Sequence, residues 1–457
     1  MRVRLAVALC CAAISASGCT GARRHPHPPS AQAPSTLDVR PDFVLPALEI
    51  VGTSLAFNAV GRAWKDDGSF VVTFASIRRN LRGPWVIDED PFEINQLGHA
   101  YQGATNHHIA RSAGLNYWQS LGYVFTASVL WELAGEATPP SMNDQVVTGI
   151  GGTFLGEALF RAANRLLAQA DGRPGVGRRW LIAALSPPLA INRLAFGRRF
   201  DAVMPTHDPA TDIRSQFGAR VGVHGRPGSA EPAADAVLDL SLDYGLPGNV
   251  AYSYGRPFDY FHLRALASTA SGMESLFARG LLAGRRAGAH SVWGVFGDYE
   301  YWSPKLFRVS TTALSIGLAT DVPIRREARL RSSVTGGVAY GAAQTIDGPH
   351  DRDYHYGIGP QASASVSIVA PRFSIDLSTS RQAVGSLASF RSSGWDAVLR
   401  AEASVAMRVR GRHAIAARYQ FSRRDVSSPG LGPLTQSRGT IGVFYAVLGS
   451  NAFGRRR

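Results

Sequence analysis

Six side chains between residues 99 and 161 have the types and spacings from which acid–base or metal chemistry is built: His99, Glu132, Glu136, Asp144, Glu157 and Arg161. Glu132 and Glu136 stand four apart, so one helix face would carry both, and like charges so placed repel. Their neighbours Trp131 and Leu133 are apolar. Two carboxylates beside such a face need a cation, an arginine or a shared proton. The cationic groups of the same segment are His99, Arg111 and Arg161, and at least one is expected to touch Glu132 or Glu136, directly or through a bound cation. His99, Glu132 and Glu136 are therefore the candidate catalytic set, as acid–base groups or metal ligands. A divalent metal is the cofactor such a set would hold, but nothing in the spacing requires one, and no cofactor is the simpler expectation. HExxH, GxSxG, P-loop and correctly placed GxGxxG motifs are absent. Plainer roles compete: Asp90, Ser141 and Asp144 as helix caps, Glu157–Arg161 as an ion pair four apart, and His99 as a structural histidine.

The elements that would position these groups are helical from about 88 to 200. Asp90-Pro91-Phe92-Glu93 reads as a cap, a first-turn proline and an answering glutamate. Ser141 to Asp144, after Pro139-Pro140, repeats the device. Residues 112–131 carry no formal charge and are long enough to cross a bilayer. Asn116, Gln119, Ser120, Thr126 and Ser128 interrupt the stretch, so a helix buried in a bundle or against a barrel is the expectation. Gly149, Gly152 and Gly156 are spaced to let two helix backbones approach closely.

After about 213 the period changes to two. From Trp395 to Val409, apolar residues at odd positions alternate with Asp396, Arg400, Glu402, Ser404 and Arg408. Fifteen residues is long for a globular strand but suits a tilted transmembrane one. About twelve such segments are centred near 220, 240, 263, 278, 296, 313, 333, 361, 375, 402, 417 and 443. Pro247-Gly248, 284–288, 347–350 and Pro429-Gly430 mark turns between them. An even number of antiparallel strands, apolar outward and polar inward, is the pattern of an outer-membrane barrel. Tyr299, Tyr301, Trp302, Tyr354, Tyr356 and Trp395 are expected to form its interfacial girdle. The fold class is thus α+β: a helical region over 41–205 followed by an antiparallel barrel over 213–457.

The helical region resembles the bacterial domain-of-unknown-function family 3943. The likeness covers about 85–167 and rests on DEDPFEINQLGHAYQG (88–103), AR (110–111), WQS (118–120), WELAGE (131–136), PSMND (140–144) and TGIGGTFLGEALFR (148–161). Ala100 departs from the family, which usually has Pro after the histidine. The resemblance implies an exported, membrane-associated protein whose helical segment precedes a barrel-like region. It implies no substrate.

Composition agrees. The 457 residues are 45% apolar and 18% charged with a mean hydropathy of −0.04, which excludes a disordered chain and a polytopic helical membrane protein. Arg2 and Arg4, an apolar run to Ala16, and Ala16-Ser17-Gly18-Cys19 read as a lipoprotein-type signal over 1–19 with Cys19 lipidated. Residues 20–40, rich in Pro and Ala, read as a tether. All three cysteines lie within the first nineteen residues, which excludes disulfide, zinc-thiolate and cysteine-nucleophile chemistry in the body. The net charge is +14, and half of it arises between 158 and 200, where eight Arg meet one Asp. Phosphate groups of outer-membrane lipid or lipopolysaccharide are the expected counter-charge, not nucleic acid, and the barrel-assembly machinery is the expected transient partner. Three functions follow from these readings. The first is a structural or interaction role in the envelope. The second is an enzyme acting on lipid or lipopolysaccharide through His99, Glu132 and Glu136. The third is a transporter whose pore the helices plug.

Overall fold

The computed structural model describes residues 41–454 apart from 66, 89, 171–172, 197–209, 248–253, 326, 347–353, 391–393 and 429–431. The signal, Cys19, the tether and the turns expected at 347–350 and 429–430 therefore lie outside the described residues. Among the described residues eight α-helices precede the strands: α1 (Val44–Trp64), α2 (Phe74–Arg82), α3 (His99–Ser112), α4 (Tyr117–Ala134), α5 (Met142–Val146), α6 (Gly152–Ala168), α7 (Val176–Leu185) and α8 (Pro187–Phe196). Asn116 caps α4, its side chain and that of Gln119 each accepting from the other's backbone N–H. Two π-helical turns, Ile94–Gly98 and Val147–Gly151, run directly into α3 and α6. Such turns insert one residue per turn and re-aim side chains, often at functional sites.

The helices pack by their smallest residues. A Cβ on Gly103 would lie 2.0 Å from the Thr148 carbonyl oxygen, and one on Gly152 would lie 2.7 Å from Gly103 Cα. The α3–α6 crossing is therefore a backbone-on-backbone contact, made possible by glycine at both positions and continued by Gly156 against Ala104.

Twelve long strands follow: β1 (Thr211–Arg226), β2 (Ser229–Tyr244), β3 (Phe261–Ser268), β4 (Gly272–Arg286), β5 (Ser291–Trp302), β6 (Phe307–Pro323), β7 (Arg329–Thr345), β8 (Tyr354–Val369), β9 (Phe373–Val384), β10 (Trp395–Arg410), β11 (His413–Ser428) and β12 (Gly432–Leu448). Each pairs antiparallel with its neighbours in sequence, and β1 pairs with β12 from Arg214↔Leu448 to Gly225↔Ser437, which closes the barrel. The two residues Ala388 and Ser389 add to the start of β8. Closure leaves no edge strand. Most outward positions carry apolar side chains open to the surroundings, among them Phe217, Leu314, Ile316, Val405, Ile441 and Val443. The inward positions carry the buried ion pairs, among them Arg220–Asp235, Arg418–Asp239 and Arg424–Asp396.

The helices do not enter the barrel. They lie against its outer wall, where Phe92, Phe154, Leu155 and Ala158 pack with the outward-facing Tyr244, Phe261, Ala278, Tyr299, Tyr301 and Tyr356. The expectation of a helical plug is thus corrected. So is the girdle assignment for Tyr299, Tyr301 and Tyr356, whose rings are buried in this contact rather than placed at a lipid interface. Phe258 adopts φ +64° in the loop before β3, and its ring sits over Gly280, stacked on Tyr117. A side chain at 280 would occupy that ring's place.

Candidate functional site

Two buried polar clusters occupy opposite ends of the bundle. The first forms where the chain at 84–88 runs beside 139–143, through the bridge Val86↔Ser141 and the bonds Val86 N–H to Pro140 O and Met142 N–H to Val86 O. This contact brings the DEDPFEINQLGH and PSMND stretches together. Asn143 Nδ2 donates to Asp88 Oδ1 (3.1 Å), Asp144 Oδ1 (3.0 Å) and the Tyr356 hydroxyl (3.2 Å). Asn95 and Gln96, turned inward by the first π turn, donate to the same Tyr356 oxygen at 3.3 and 3.0 Å. His99 Nε2 lies 3.6 Å from Asp144 Oδ2, and its Nδ1 lies 3.3 Å from Thr148 Oγ1. Burial, then the neighbouring carboxylates Asp88 and Glu132, push the Asp144 carboxyl well above its ordinary range.

The second cluster centres on Glu157, which is fully buried. Its Oε2 lies 2.8 Å from both His107 Nε2 and Arg111 Nε. Its Oε1 accepts from Arg161 Nε at 2.8 Å and Arg111 Nη2 at 3.3 Å. Arg161 continues to Asp259 Oδ1 at 2.9 Å and to the Pro257 carbonyl, tying the bundle to the loop that enters β3. The ion pair expected between Glu157 and Arg161 is present, as one edge of a larger network.

The structure separates the rest of the candidate set. Helix α4 ends at Ala134, with Gly135 as its cap, donating its N–H to the Trp131 carbonyl and leaving no room for a Cβ beside the Trp131 ring. Glu136 therefore lies beyond the helix, and the shared face with Glu132 does not form. Glu136 accepts from Trp131 Nε1 (2.8 Å) and Thr138 Oγ1 (3.1 Å). Glu132 is buried and accepts the Ser141 N–H at 2.8 Å. The expected contact with His99, Arg111 or Arg161 is not made, since His99 turns to Asp144 and both arginines turn to Glu157. Ser141 does cap α5, accepting from Asp144 N–H at 3.2 Å. Asp90 pairs with Lys65 at 3.7 Å, and Glu93 reaches Arg308 on β6 at 2.6 Å instead of answering a cap. His99, Glu132 and Glu136 thus end in three different sets of contacts. Among the described residues no group of three or more His, Asp or Glu is arranged to hold a metal ion. Sequence reasoning missed Asp88, Asn95, His107, Asn143, Asp259 and Tyr356. The four-residue step from His107 to Arg111, matching that from Glu157 to Arg161, was the available signal for the second cluster.

The barrel interior is the third polar region. Arg264 on β3 bonds Asp239 on β2 (2.7 Å) and crosses the lumen to Glu402 on β10 (3.1 Å). Arg418 on β11 reaches Asp239, Arg400 on β10 reaches Glu300 on β5, and Arg214 on β1 reaches Asp376 on β9 (3.0 Å). Gln361 on β8 donates to Asp298 on β5 at 2.7 Å. These struts join walls far apart in strand order and leave a cavity of about 400 Å³.

The segment that supplies both bundle clusters has a known counterpart. Residues 84–188 match the domain of unknown function DUF3943. The DUF3943 segment thus runs from the bridge strand at Val86 to the start of α8. It contains every residue of the two clusters except Tyr356 and Asp259, which the barrel contributes. No curated protein matches the chain. Among solved structures, the outer-membrane channel DcaP of Acinetobacter baumannii is similar at 8% identity, covering 53% of this chain and 97% of that one with a TM-score of 0.25. The NanC porin is similar at 7% identity, covering 52% and 99%, with a TM-score of 0.27. The translocator domain of the autotransporter NalP from Neisseria meningitidis is similar at 12% identity, covering 52% and 88%, with a TM-score of 0.24.

Proposed function

We propose that this protein is an outer-membrane barrel with a structural or interaction role in the envelope, and that its barrel does not conduct. The set of ion pairs crossing the lumen carries this reading. Guanidinium–carboxylate pairs such as Arg264–Glu402 and Arg400–Glu300 bind opposite walls together, so a solute would have to break several charge-assisted bonds at once. The enzyme reading has less support, because His99, Glu132 and Glu136 do not converge and the donors of the Asn143 cluster are engaged among themselves. Residues 1–40 serve in this proposal as export signal and tether, with Cys19 lipidated. The arginines of α7 and α8 face lipid phosphates, and the barrel-assembly machinery inserts the strands. In planar bilayers the purified protein is expected to give no steady conductance, and a channel of fixed conductance would overturn the proposal. In fractionated cells it is expected in the outer membrane as a heat-modifiable band. Full recovery in the soluble periplasm would count against the membrane assignment.

A further inference from the structure

The bundle touches both ends of the barrel wall. At the end where β1 begins and β12 finishes, Arg161 holds Asp259 and Pro257 ahead of β3. At the other end Glu93 holds Arg308 at the start of β6, and Asn143 holds Tyr356 at the start of β8. The helices therefore cover the wall from the starts of β6 and β8 to the loop ahead of β3. On β6 the boundary falls in mid-strand. A Cβ on Gly151 would meet Thr312, whereas Leu314 and Ile316, the next two outward residues, are open. A lipid layer that covers Leu314 and Ile316 must also meet the helices beside them.

The bundle's own charges fit such a layer. Residues 50–61, 112–131 and 145–156 contain no formally charged side chain. Charge collects toward the two ends: Arg62, Lys65, Asp88 and Asp144 at one, Arg111, Glu157 and Arg161 at the other, with Glu49 of α1 joined to this second end through Asn192 and Ser112. Helix α1 has 21 residues, about 30 Å at 1.5 Å per residue, which is the thickness of a bilayer core. Of those residues only Pro46 and Ile50 are buried, while Val44, Leu48, Val51 and Leu55 form an open apolar stripe. Helix α4 turns Trp118, Phe125 and Leu130 outward in the same way. A bundle in water would bury its apolar side and expose its charges. This one encloses the Glu157 cluster and exposes leucine and phenylalanine.

We infer that the helical bundle is embedded in the outer membrane beside the barrel, with the open faces of α1 and α4 in contact with lipid acyl chains. The inference rests on the barrel itself spanning that membrane. Leu314 and Ile316 lie open beside the bundle's contact at Thr312, and acyl chains are a partner that covers both these outward barrel residues and the open stripes on α1 and α4. The helices thereby replace lipid along one side of the barrel.

The test uses single cysteines at Leu55, Phe125, Ile441 and the loop residue Asp67, each in the full chain, whose own cysteines all lie within residues 1–19. The parent chain supplies the background, and an unchanged heat shift on gels confirms folding of each variant. A polarity-sensitive maleimide fluorophore is attached, and the protein is reconstituted in phosphatidylcholine vesicles with or without chain-brominated lipid. Leu55, Phe125 and Ile441 are expected to lose at least half of their fluorescence to bromine, with Asp67 unaffected. If Ile441 is quenched while Leu55 and Phe125 react with a water-soluble maleimide as fast as Asp67, the inference fails and the barrel assignment stands. If Ile441 is not quenched either, both fail. Quenching at Ile441 with Leu55 and Phe125 closed to both reagents would replace lipid by a second copy of the chain as the occupant.

Discussion

Glu157→Gln removes one charge and almost no volume from the bundle, so its cost can be worked from the contacts alone. Each carboxylate oxygen receives two donors: His107 and Arg111 at one, Arg161 and Arg111 at the other. Turned toward Arg161 Nε and Arg111 Nη2, the amide NH2 faces two donors; turned the other way it still faces Arg111 Nε, while a neutral His107 can accept from it, so at least one of the four bonds becomes repulsive. The formal balance also changes. Two guanidinium groups now sit against Glu157 and Asp259, and after substitution Asp259 alone remains. Leaving a buried charge without its partner costs about 3–5 kcal/mol, a large share of the roughly 5–15 kcal/mol that hold a domain together. The helical circular-dichroism signal in detergent should therefore be lost at a much lower temperature or denaturant concentration, while the barrel keeps its heat-modifiable mobility. Adding Arg111→Met restores the balance and should recover most of the loss. Arg423→Gln, in the exposed Arg423–Asp425 pair on β11, should change nothing measurable. A single Glu157→Gln variant as stable as the parent, or a double variant no better than the single, would refute the reasoning.

Three further outcomes follow from other contacts. Gly103→Ala should cost at least about 3 kcal/mol, the upper end of overpacking penalties, because its Cβ meets the Thr148 backbone; Gly122→Ala, with open space around it, should stabilise α4 by about 0.5–1 kcal/mol. Thermal melts of both variants check the contrast. Truncating Arg264, Arg400 and Arg418 together to Ala should open a conductance in planar bilayers that the parent lacks, and a silent triple variant would show that the struts do not close the lumen. The Asp144 carboxyl is raised when folded, so the folded state binds its proton more tightly than the unfolded state. Stability should therefore fall as pH rises from the ordinary carboxylate range near 3.8 through the folded value, and Asp144→Asn should flatten that slope in melts taken at successive pH values.

The barrel was legible because its signal is local. Alternation with period two depends on neighbouring residues in one strand, and the twelve centres read from the sequence all fall inside the twelve strands. Residues 395–409 show why: Asp396, Arg400, Glu402 and Ser404 face the lumen, and Leu399, Val405, Met407 and Val409 face out. What alternation cannot report is what covers the outside. Tyr299, Tyr301 and Tyr356 look the same to a periodicity argument whether lipid headgroups or helices lie over them. Only the DUF3943 segment's own packing decides between the two.

The site was less legible, because its partners come from different segments and from the barrel. The spacing of Glu132 and Glu136 implied a shared face only if the helix continued, and it stops at Ala134, two residues before Glu136. The same reasoning succeeded at Glu157 and Arg161, where α6 runs uninterrupted through both. Four-residue spacing is evidence about a face only between helix boundaries. The reading of 112–131 as a helix buried in a bundle or against a barrel holds for one face: α4 packs into the bundle through Tyr117, Ser120, Val124, Ala127, Ser128 and Trp131 and leaves its other face open. Asn116 and Gln119 spend their side chains capping α4, and Ser120 and Ser128 face inward, whereas Thr126 stays on the open side. That side also carries Trp118, Phe125 and Leu130, so average polarity over the stretch does not report the character of the face that stays open.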